Sequence, residues 1–576
     1  MVFISALPLP SLPDGLDSIT VAEFMSDQKY GRHAPEKSRN PYTCGLTGKT
    51  YSAASVIKRI DYLARAIQAH VHFDPLQGTE LDRVVCVYSF NTIDYVPITH
   101  AVHRLSGVVT PASTGYSVSE LEHQLRTSGA KALFTCVQLL DNALQAASAV
   151  GIPNSHIFIL PMSNDDSVHF KTVDNLVQEG KRLPAIRQLE WSKGQGKTQT
   201  AFMCYSSGTS GLPKAVMISH YNIITSVLQT VVFEAAGQTG VGIETQVSLG
   251  VLPFSHIYGL ALLCHVAQYR GDQVVVLPKF DLNIFCSAIQ RFHIQLLSVV
   301  PPMLIQMLSN ESICTQYDLS SVRLVISGAA PLGSEVLERL EKLYPKWKIG
   351  QAYGMTECTG VCIETSESDI LSGSVGTLIP NVSAKLVGID GQEITQYETP
   401  GEIWIQSPIL ALGYLNNDKA NSETFVSDST GRWLRTGDEA IVRKSSQGND
   451  HFIIVDRIKE LIKVKGHQVA PAELESHLLG QSFVDDCAVI GIPHHWAGQV
   501  PKVFIVKSKE AVAAGIPEKE IENAVRRHVE DHKAKHKWLD SIEFIDAIPK
   551  SPSGKILRRV LREKEKMSRE ELKGKL

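Results

Sequence analysis

Between Ser206 and Lys214 the chain reads Ser-Ser-Gly-Thr-Ser-Gly-Leu-Pro-Lys. Ser206, Ser207, Gly208, Thr209, Ser210 and Gly211 offer hydroxyl and backbone N–H donors with little bulk, and Lys214 adds a positive charge. That is the chemistry of a loop that folds over polyphosphate. The usual nucleotide P-loop places glycine before its lysine and Ser or Thr after it; here Pro213 precedes and Ala215 follows. Phosphate binding is therefore expected, and γ-phosphoryl transfer of the kinase or GTPase kind is not. Residues 200–205 read as a strand and residues 218–224 as a helix. Strand, donor-rich turn and helix in that order would aim backbone amides at an anion.

Four further segments follow the loop in fixed order. They are Gly350-Gln-Ala-Tyr-Gly-Met-Thr-Glu357, Arg435-Thr-Gly-Asp438, Asp456-Arg-Ile-Lys-Glu-Leu-Ile-Lys463 continuing to Glu475, and Pro549-Lys-Ser-Pro-Ser-Gly-Lys-Ile-Leu-Arg558. With the loop, they closely resemble the adenylate-forming superfamily of acyl-CoA synthetases, luciferases and peptide-synthetase adenylation domains. Within it the nearest likeness is to the 4-coumarate–CoA ligase type, over roughly residues 40–565. The resemblance implies ATP, Mg²⁺ and coenzyme A, and a reaction in two halves. A carboxylate attacks the α-phosphate of ATP to give acyl-AMP and pyrophosphate, and a thiol then displaces AMP.

Residue chemistry agrees with that reaction. A carboxylate is a poor nucleophile repelled by triphosphate, so the catalyst must neutralise charge and align the attack more than move protons. Glu357 is a hard oxygen donor suited to Mg²⁺. Thr356 can donate to the α-phosphate, Tyr353 offers a flat face to adenine, and Asp438 has the acceptor oxygens a ribose diol needs, with Arg457 completing that contact. By resemblance, Gln351, Ala352, Gly354 and Lys459 join the nucleotide site, and Lys555 reaches the α-phosphate and carboxylate. Lys463 and Gln468 match positions that serve the site. Lys465 and Gly466 match a pantetheine tunnel, and Lys279 matches a coenzyme A phosphate contact. His256 stands where relatives carry an aromatic gate. Tyr258 and Leu262 match acyl contacts, and Gly328 and Ala329 belong to a segment whose small residues let substrate approach the backbone. Ser255 occupies the place where amino-acid-activating relatives put an aspartate, so an α-amino acid is disfavoured. Aryl, cinnamate-like and aliphatic acids stay open, as does a carrier-protein thiol in place of coenzyme A.

These residues need a frame. A chain of 576 residues exceeds one core. Short β-rich runs such as 83–88, 131–135, 157–160, 274–277, 296–300 and 324–326 alternate with helix-length segments such as 121–128 and 334–343, which argues for parallel α/β layers. The expected fold is α/β: a large N-terminal domain of layered sheets over residues 1–456, with a β-rich subdomain from about 380, and a small mobile α+β C-terminal domain over 457–576. If Lys555 and the 463–466 segment line different faces of that small domain, it must turn about Asp456–Arg457 between half-reactions.

Net charge of −4 gives no general attraction to nucleic acid. The basic runs at 533–537 and 556–566 read as solvated helix faces. Ten scattered cysteines without a Cys-x-x-Cys pair indicate free thiols in a reducing compartment, with Cys358 and Cys362 as packing residues. The longest apolar run, 257–264, is too short to span a bilayer. The ending Gly574-Lys575-Leu576 resembles the Ser-Lys-Leu address read by a peroxisomal import receptor. A peroxisomal or cytoplasmic location is expected.

Overall fold

The computed structural model describes residues 1–8, 13–162, 169–206, 213–238, 242–465 and 467–574. Two largely parallel sheets form its centre. In the first, Val84–Tyr88 lies parallel to Val108–Pro111 on one side and Ala132–Thr135 on the other, and Ile157–Ile159 follows. Every residue of Val84–Tyr88 is buried. The run shows no polar alternation because helices cover both faces of a parallel sheet. In the second, Tyr42–Cys44, Gln273–Val276, Val247–Gly250, Leu296–Val299, Leu324–Ser327 and Lys348–Met355 lie side by side and parallel. Gly360–Glu364 then pairs antiparallel with Lys348–Met355. One hydrophobic core joins both sheets to the next.

A third, antiparallel sheet holds Val2–Ile4, Ser383–Val387, Gly401–Gln406, Gly431–Lys444, Phe425–Asp428 and Asp450–Arg457. Along Gly401–Gln406 buried and half-buried residues alternate, the period-2 mark of a sheet with one covered face. Beyond Arg457 a fourth sheet of five strands packs with the helices Pro471–Leu478, Glu518–His532 and Arg558–Gly574. Hydrophobic residues from Ile462 onward form two clusters of their own.

One local reading is corrected. The loop after Thr200–Ser206 does not run into a helix. Lys214–Ser219 is a strand, antiparallel to Thr200–Ser206, and the helix begins only at His220. Val216 and Ile218 are buried, so the β-branched residues pack as a strand. Ser219 caps the helix through Asn222 N–H at 3.1 Å. The residues flanking the donor-rich segment therefore pair as two antiparallel strands, and among the described residues the next helix starts only after Lys214–Ser219.

The apolar run at 257–264 enters a π-helical segment, Gly259–Val266, buried throughout. Among the described residues, no helix is long and apolar enough to cross a membrane. All ten cysteines are free thiols.

Four of the buried histidines cluster in the N-terminal core: His100, His103, His220 and His265. The rings of His103 and His220 are 4.8 Å apart, and those of His100 and His265 are 5.5 Å apart. Burial drives all four pKa values down, to about 3 for His103 and about 4 for His265. They are neutral in the folded chain and take up protons near pH 6.5 when it unfolds. Their stabilising contribution is thus complete above about pH 6.5 and is lost as pH falls toward the folded values, by about 1.4 kcal/mol per pH unit for each ring at most. Neither ring nitrogen of His100 has a hydrogen-bond partner among the described residues. Urea unfolding at pH 7, 6 and 5 should show stability falling with pH, and His100→Leu should flatten that slope by about one proton. An unchanged slope in the variant would show that His100 is not held neutral.

Candidate active site

The strands Gly431–Lys444 and Asp450–Arg457 bring Asp438 opposite Arg457. Arg457 Nε lies 3.5 Å from Asp438 Oδ1, and the Tyr353 hydroxyl donates to Asp438 Oδ2 at 2.8 Å. Asp438 is 5% exposed. Burial pushes its carboxyl pKa up, against the pull of Arg457, the Tyr353 hydroxyl and Lys555.

Glu357 sits in the single turn Thr356–Cys358 at the end of Lys348–Met355. Its Oε1 accepts from the Tyr414 hydroxyl at 2.8 Å. Lys214 Nζ lies 4.8 Å from the Tyr414 ring centroid. The pairing of Gly413–Tyr414 with Lys214–Ser219 fixes that relation, and Ser206 lies opposite Lys214 at the mouth of the hairpin. Ser207, Gly208, Thr209, Ser210 and Gly211 lie outside the described residues, as does Gly466.

Lys555 ends a tight turn. Gly554 N–H donates to Ser551 O at 2.8 Å, and Lys555 N–H donates to Ser551 Oγ at 3.2 Å. Gly554 has φ +81°, and a Cβ there would stand 2.9 Å from Val300 Cγ2. A Cβ on Gly115 would meet Pro552 Cγ at 3.0 Å. The turn is thus seated between Gly115 and Val300. The seat puts the Lys555 ammonium within electrostatic reach of Arg457, Asp438 and Glu357. Burial and the like charge of Arg457 lower its pKa to about 8, with Glu460, Asp438 and Glu357 opposing. His256 lies near enough that Lys555 adds to the effect of burial and brings the imidazole to about 4.

Next to His256, the Tyr258 backbone N–H donates to His256 Nδ1 at 3.3 Å, and the Tyr258 hydroxyl donates to Ile326 O at 3.0 Å. The Tyr258 ring runs past Gly328, where a Cβ would be 3.0 Å from its edge. Leu262 is buried in the π-helical segment. Ala329 is exposed, with φ +66°.

Other expected residues are placed differently. The Gln351 carboxamide is engaged by the backbone: its oxygen accepts from Leu332 N–H at 2.7 Å and its nitrogen donates to Ser374 O at 3.4 Å. Ala352 lies opposite Glu364, and Gly354 sits at a register shift where a Cβ would strike the Gly360 carbonyl. Lys279 is exposed beyond Gln273–Val276. Lys459, Lys463, Lys465 and Gln468 are exposed as well, with Lys463 opposite Gln468 on a hairpin of the fourth sheet. The structure therefore gathers Lys555, Asp438, Arg457, Tyr353, Glu357 and His256, and leaves the 459–468 residues outside that group. Sequence reasoning missed Tyr414, which ties Glu357 to Lys214, and no spacing signal marks it. It also missed the buried carboxyl of Glu364, which desolvation raises to a pKa of about 7.

A family model described as AMP-binding enzyme matches residues 32–415, and one described as AMP-binding enzyme C-terminal domain matches residues 473–555. The chain is 37% identical to the acyl-CoA ligase easD of Emericella nidulans over 98% of this chain and 100% of that protein. It is 39% identical to the acyl-CoA ligase AKT1 of Alternaria alternata over 98% and 97% of the two. Among solved structures, the anthranilate CoA ligase AuaEII in complex with anthranoyl-AMP shares the fold, with a TM-score of 0.79 at 22% identity over 97% of this chain and 98% of that one.

Ala329 holds a left-handed conformation that costs a residue with a Cβ about 1–2 kcal/mol. Ala329→Gly removes that strain but adds unfolded-state freedom of about 0.5–1 kcal/mol, so it should be neutral or stabilising by up to about 1.5 kcal/mol. Ala329→Val puts a β-branched side chain at the same φ and should lower the unfolding free energy by at least about 1 kcal/mol. Urea midpoints measure both, and equal stability of the two variants would show that the segment relaxes away from positive φ.

Proposed function

This chain belongs to the AMP-binding enzyme family, and we propose that it is an AMP-forming acid–thiol ligase that makes acyl-CoA through an acyl-AMP intermediate. The observation that carries this reading is the seat of Lys555 beside Asp438, Glu357 and His256. In the first half-reaction a carboxylate oxygen bonds to the α-phosphorus of ATP and pyrophosphate leaves. In the second, the thiol of coenzyme A bonds to the acyl carbon and AMP leaves with the electron pair.

The chain's own residues divide the work. Ser206, Lys214 and the 207–211 loop take the β- and γ-phosphates. Thr356 and Lys555 face the α-phosphate, where a point charge offsets the charge that builds up during attack. Asp438 accepts from the ribose diol with Arg457 beside it, and the ring of Tyr353, its hydroxyl held by Asp438, lies against adenine. Mg²⁺ fits Glu357, a carboxylate with one oxygen engaged by Tyr414, and when bound it supplies further charge neutralisation for pyrophosphate. His256, Tyr258, Leu262, Gly328 and Ala329 form the acid side.

Residues 1–456 and 457–576 act as two bodies, the first with its β-rich part from about 380. Lys555 faces the cleft while Lys463, Lys465 and Gln468 stand exposed. A turn about Asp456–Arg457 would exchange them and bring the coenzyme A residues, Lys279 among them, into use. Lys459 would join the nucleotide contacts in one of the two poses.

Replacing Lys555 by Ala should abolish ATP–pyrophosphate exchange and leave thioester formation from supplied acyl-AMP largely intact. Equal loss of both would refute the division of labour. The Lys555 ammonium is charged below its pKa of about 8. Exchange in the unaltered chain should therefore fall as pH rises through 8, while thioester formation from acyl-AMP should not share that step. A panel of acids assayed with coenzyme A alone should release AMP. AMP release only on adding a carrier protein would move the acceptor to a protein thiol.

A further inference from the structure

Away from the cleft, three histidines of the C-terminal unit stand together. His528 and His532 lie four apart on the helix Glu518–His532 and so share a face. His477 lies near the end of the helix Pro471–Leu478. One ring nitrogen of each lies within 4.8 Å of the other two. The rings of His477 and His528 stack, 4.1 Å apart and 7° from parallel.

Each ring already has one nitrogen on a main-chain carbonyl. His477 Nε2 lies 3.1 Å from His528 O, His528 Nε2 lies 3.2 Å from His477 O, and His532 Nδ1 lies 2.8 Å from His528 O. A carbonyl oxygen only accepts, so those three nitrogens carry the ring protons. In the neutral rings the lone pairs are left on His477 Nδ1, His528 Nδ1 and His532 Nε2. Metal-binding imidazoles are held in the same way, by an N–H donated to a carbonyl behind the ligating nitrogen.

The fourth group comes from the other side of the seam. Glu335, on the N-terminal unit's helix Ser334–Leu343, has Oε1 3.8 Å from His477 Nδ1, and its Oε2 accepts from the Ser476 hydroxyl at 2.8 Å. A lone pair therefore faces a carboxylate with no proton between them. A cation placed there would satisfy both.

We propose that His477, His528 and His532 bind a divalent transition metal, zinc foremost, with Glu335 as a fourth ligand from across the seam between the two units. Imidazole nitrogens select zinc, copper or nickel over Mg²⁺, so the ion used with ATP does not compete. Tetrahedral bonds of about 2.0–2.2 Å put ligand atoms roughly 3.3 Å apart. A metal lies in the plane of each imidazole it binds, so loading requires the parallel rings of His477 and His528 to tilt toward one another. The complete site exists only while the C-terminal unit holds Lys555 in the cleft. Bound metal would thus favour the first half-reaction and slow the second, a consequence that rests on the hinge reading given above.

The test uses the full chain, stripped with a chelator and dialysed against Zn²⁺ in excess Mg²⁺. One equivalent should bind, at least tenfold more weakly in His528→Ala/His532→Ala and several-fold more weakly in Glu335→Gln. Thermal melting and ATP–pyrophosphate exchange, which these residues do not serve, report that the variants are folded. His528→Gln/His532→Gln replaces the double alanine variant if that one is not. No binding, or equal binding in the histidine variants, would overturn the site. Unchanged affinity in Glu335→Gln would overturn the seam ligand. Zinc should slow thioester formation from acyl-AMP and spare pyrophosphate exchange in the unaltered chain only. Equal slowing of both halves would overturn the coupling. If the ligase reading itself fails, the metal-free chain shows no exchange, and the zinc titration still reads out the site.

Discussion

The structure depends on seating one ammonium in a cleft that would rather not hold it. Lys555 loses hydration on burial and meets the like charge of Arg457, and both effects lower its pKa. What keeps it there is packing and opposite charge. Pro552 rests on Gly115, Gly554 rests on Val300, and Asp438, Glu357 and Glu460 supply negative charge. A Cβ would be crowded at both glycine positions, by Val300 at Gly554 and by Pro552 at Gly115, so the seat is shaped by backbone against side chain. A point charge fixed this way needs no rearrangement when negative charge builds up nearby, which is how electrostatic stabilisation becomes efficient.

The C-terminal unit that delivers Lys555 is tied to itself more firmly than to its neighbour. Arg558, three residues beyond the lysine, pairs with Glu460 and with Glu475, joining the last helix to the segment after Arg457 and to the helix Pro471–Leu478. Asp456 closes the same corner: one oxygen accepts from Arg457 N–H and the other from Ala472 N–H at 2.9 Å. Burial raises its carboxyl pKa to about 6, with Arg558 opposing. The Lys555 turn and the Lys463 hairpin therefore belong to one stiff body. In the proposed two-pose reading, the exchange between them would then be a rotation of the whole body rather than local flexing.

Much of this was legible in the sequence because the groups gathered around Lys555 come from short contiguous motifs. The buried strands also showed as unbroken β-branched runs, and residues 334–343 proved a helix as read. What stayed hidden depends on partners distant in the chain. Residues 214–219 have no local feature that separates strand from helix start, and pairing with Thr200–Ser206 decides it. The Gln351 carboxamide is taken up by backbone groups of Leu332 and Ser374, which its motif does not contain. Tyr414 reaches Glu357 from 57 positions away. His528 and His532 are visible as a spaced pair, but His477 joins them only through helix packing.

The same reasoning bears on the acid pocket. Tyr258 was expected to touch the acyl group, and its hydroxyl would be the natural polar handle. In the fold that hydroxyl is bonded to the Ile326 carbonyl, and the absence of a Cβ at Gly328 leaves room for the edge of the ring. A substrate group competing for that proton would have to break the bond, worth about 0.5–1.5 kcal/mol net. The hydroxyl proton is thus taken, and the ring offers apolar surface with only the phenolic oxygen left as an acceptor. In the proposed acid pocket, such a wall would select mainly by shape and hydrophobic contact. A hydrogen-bond acceptor on the acid would have to find its donor elsewhere, and discrimination between acids differing by one methylene would be only about 1–3 kcal/mol.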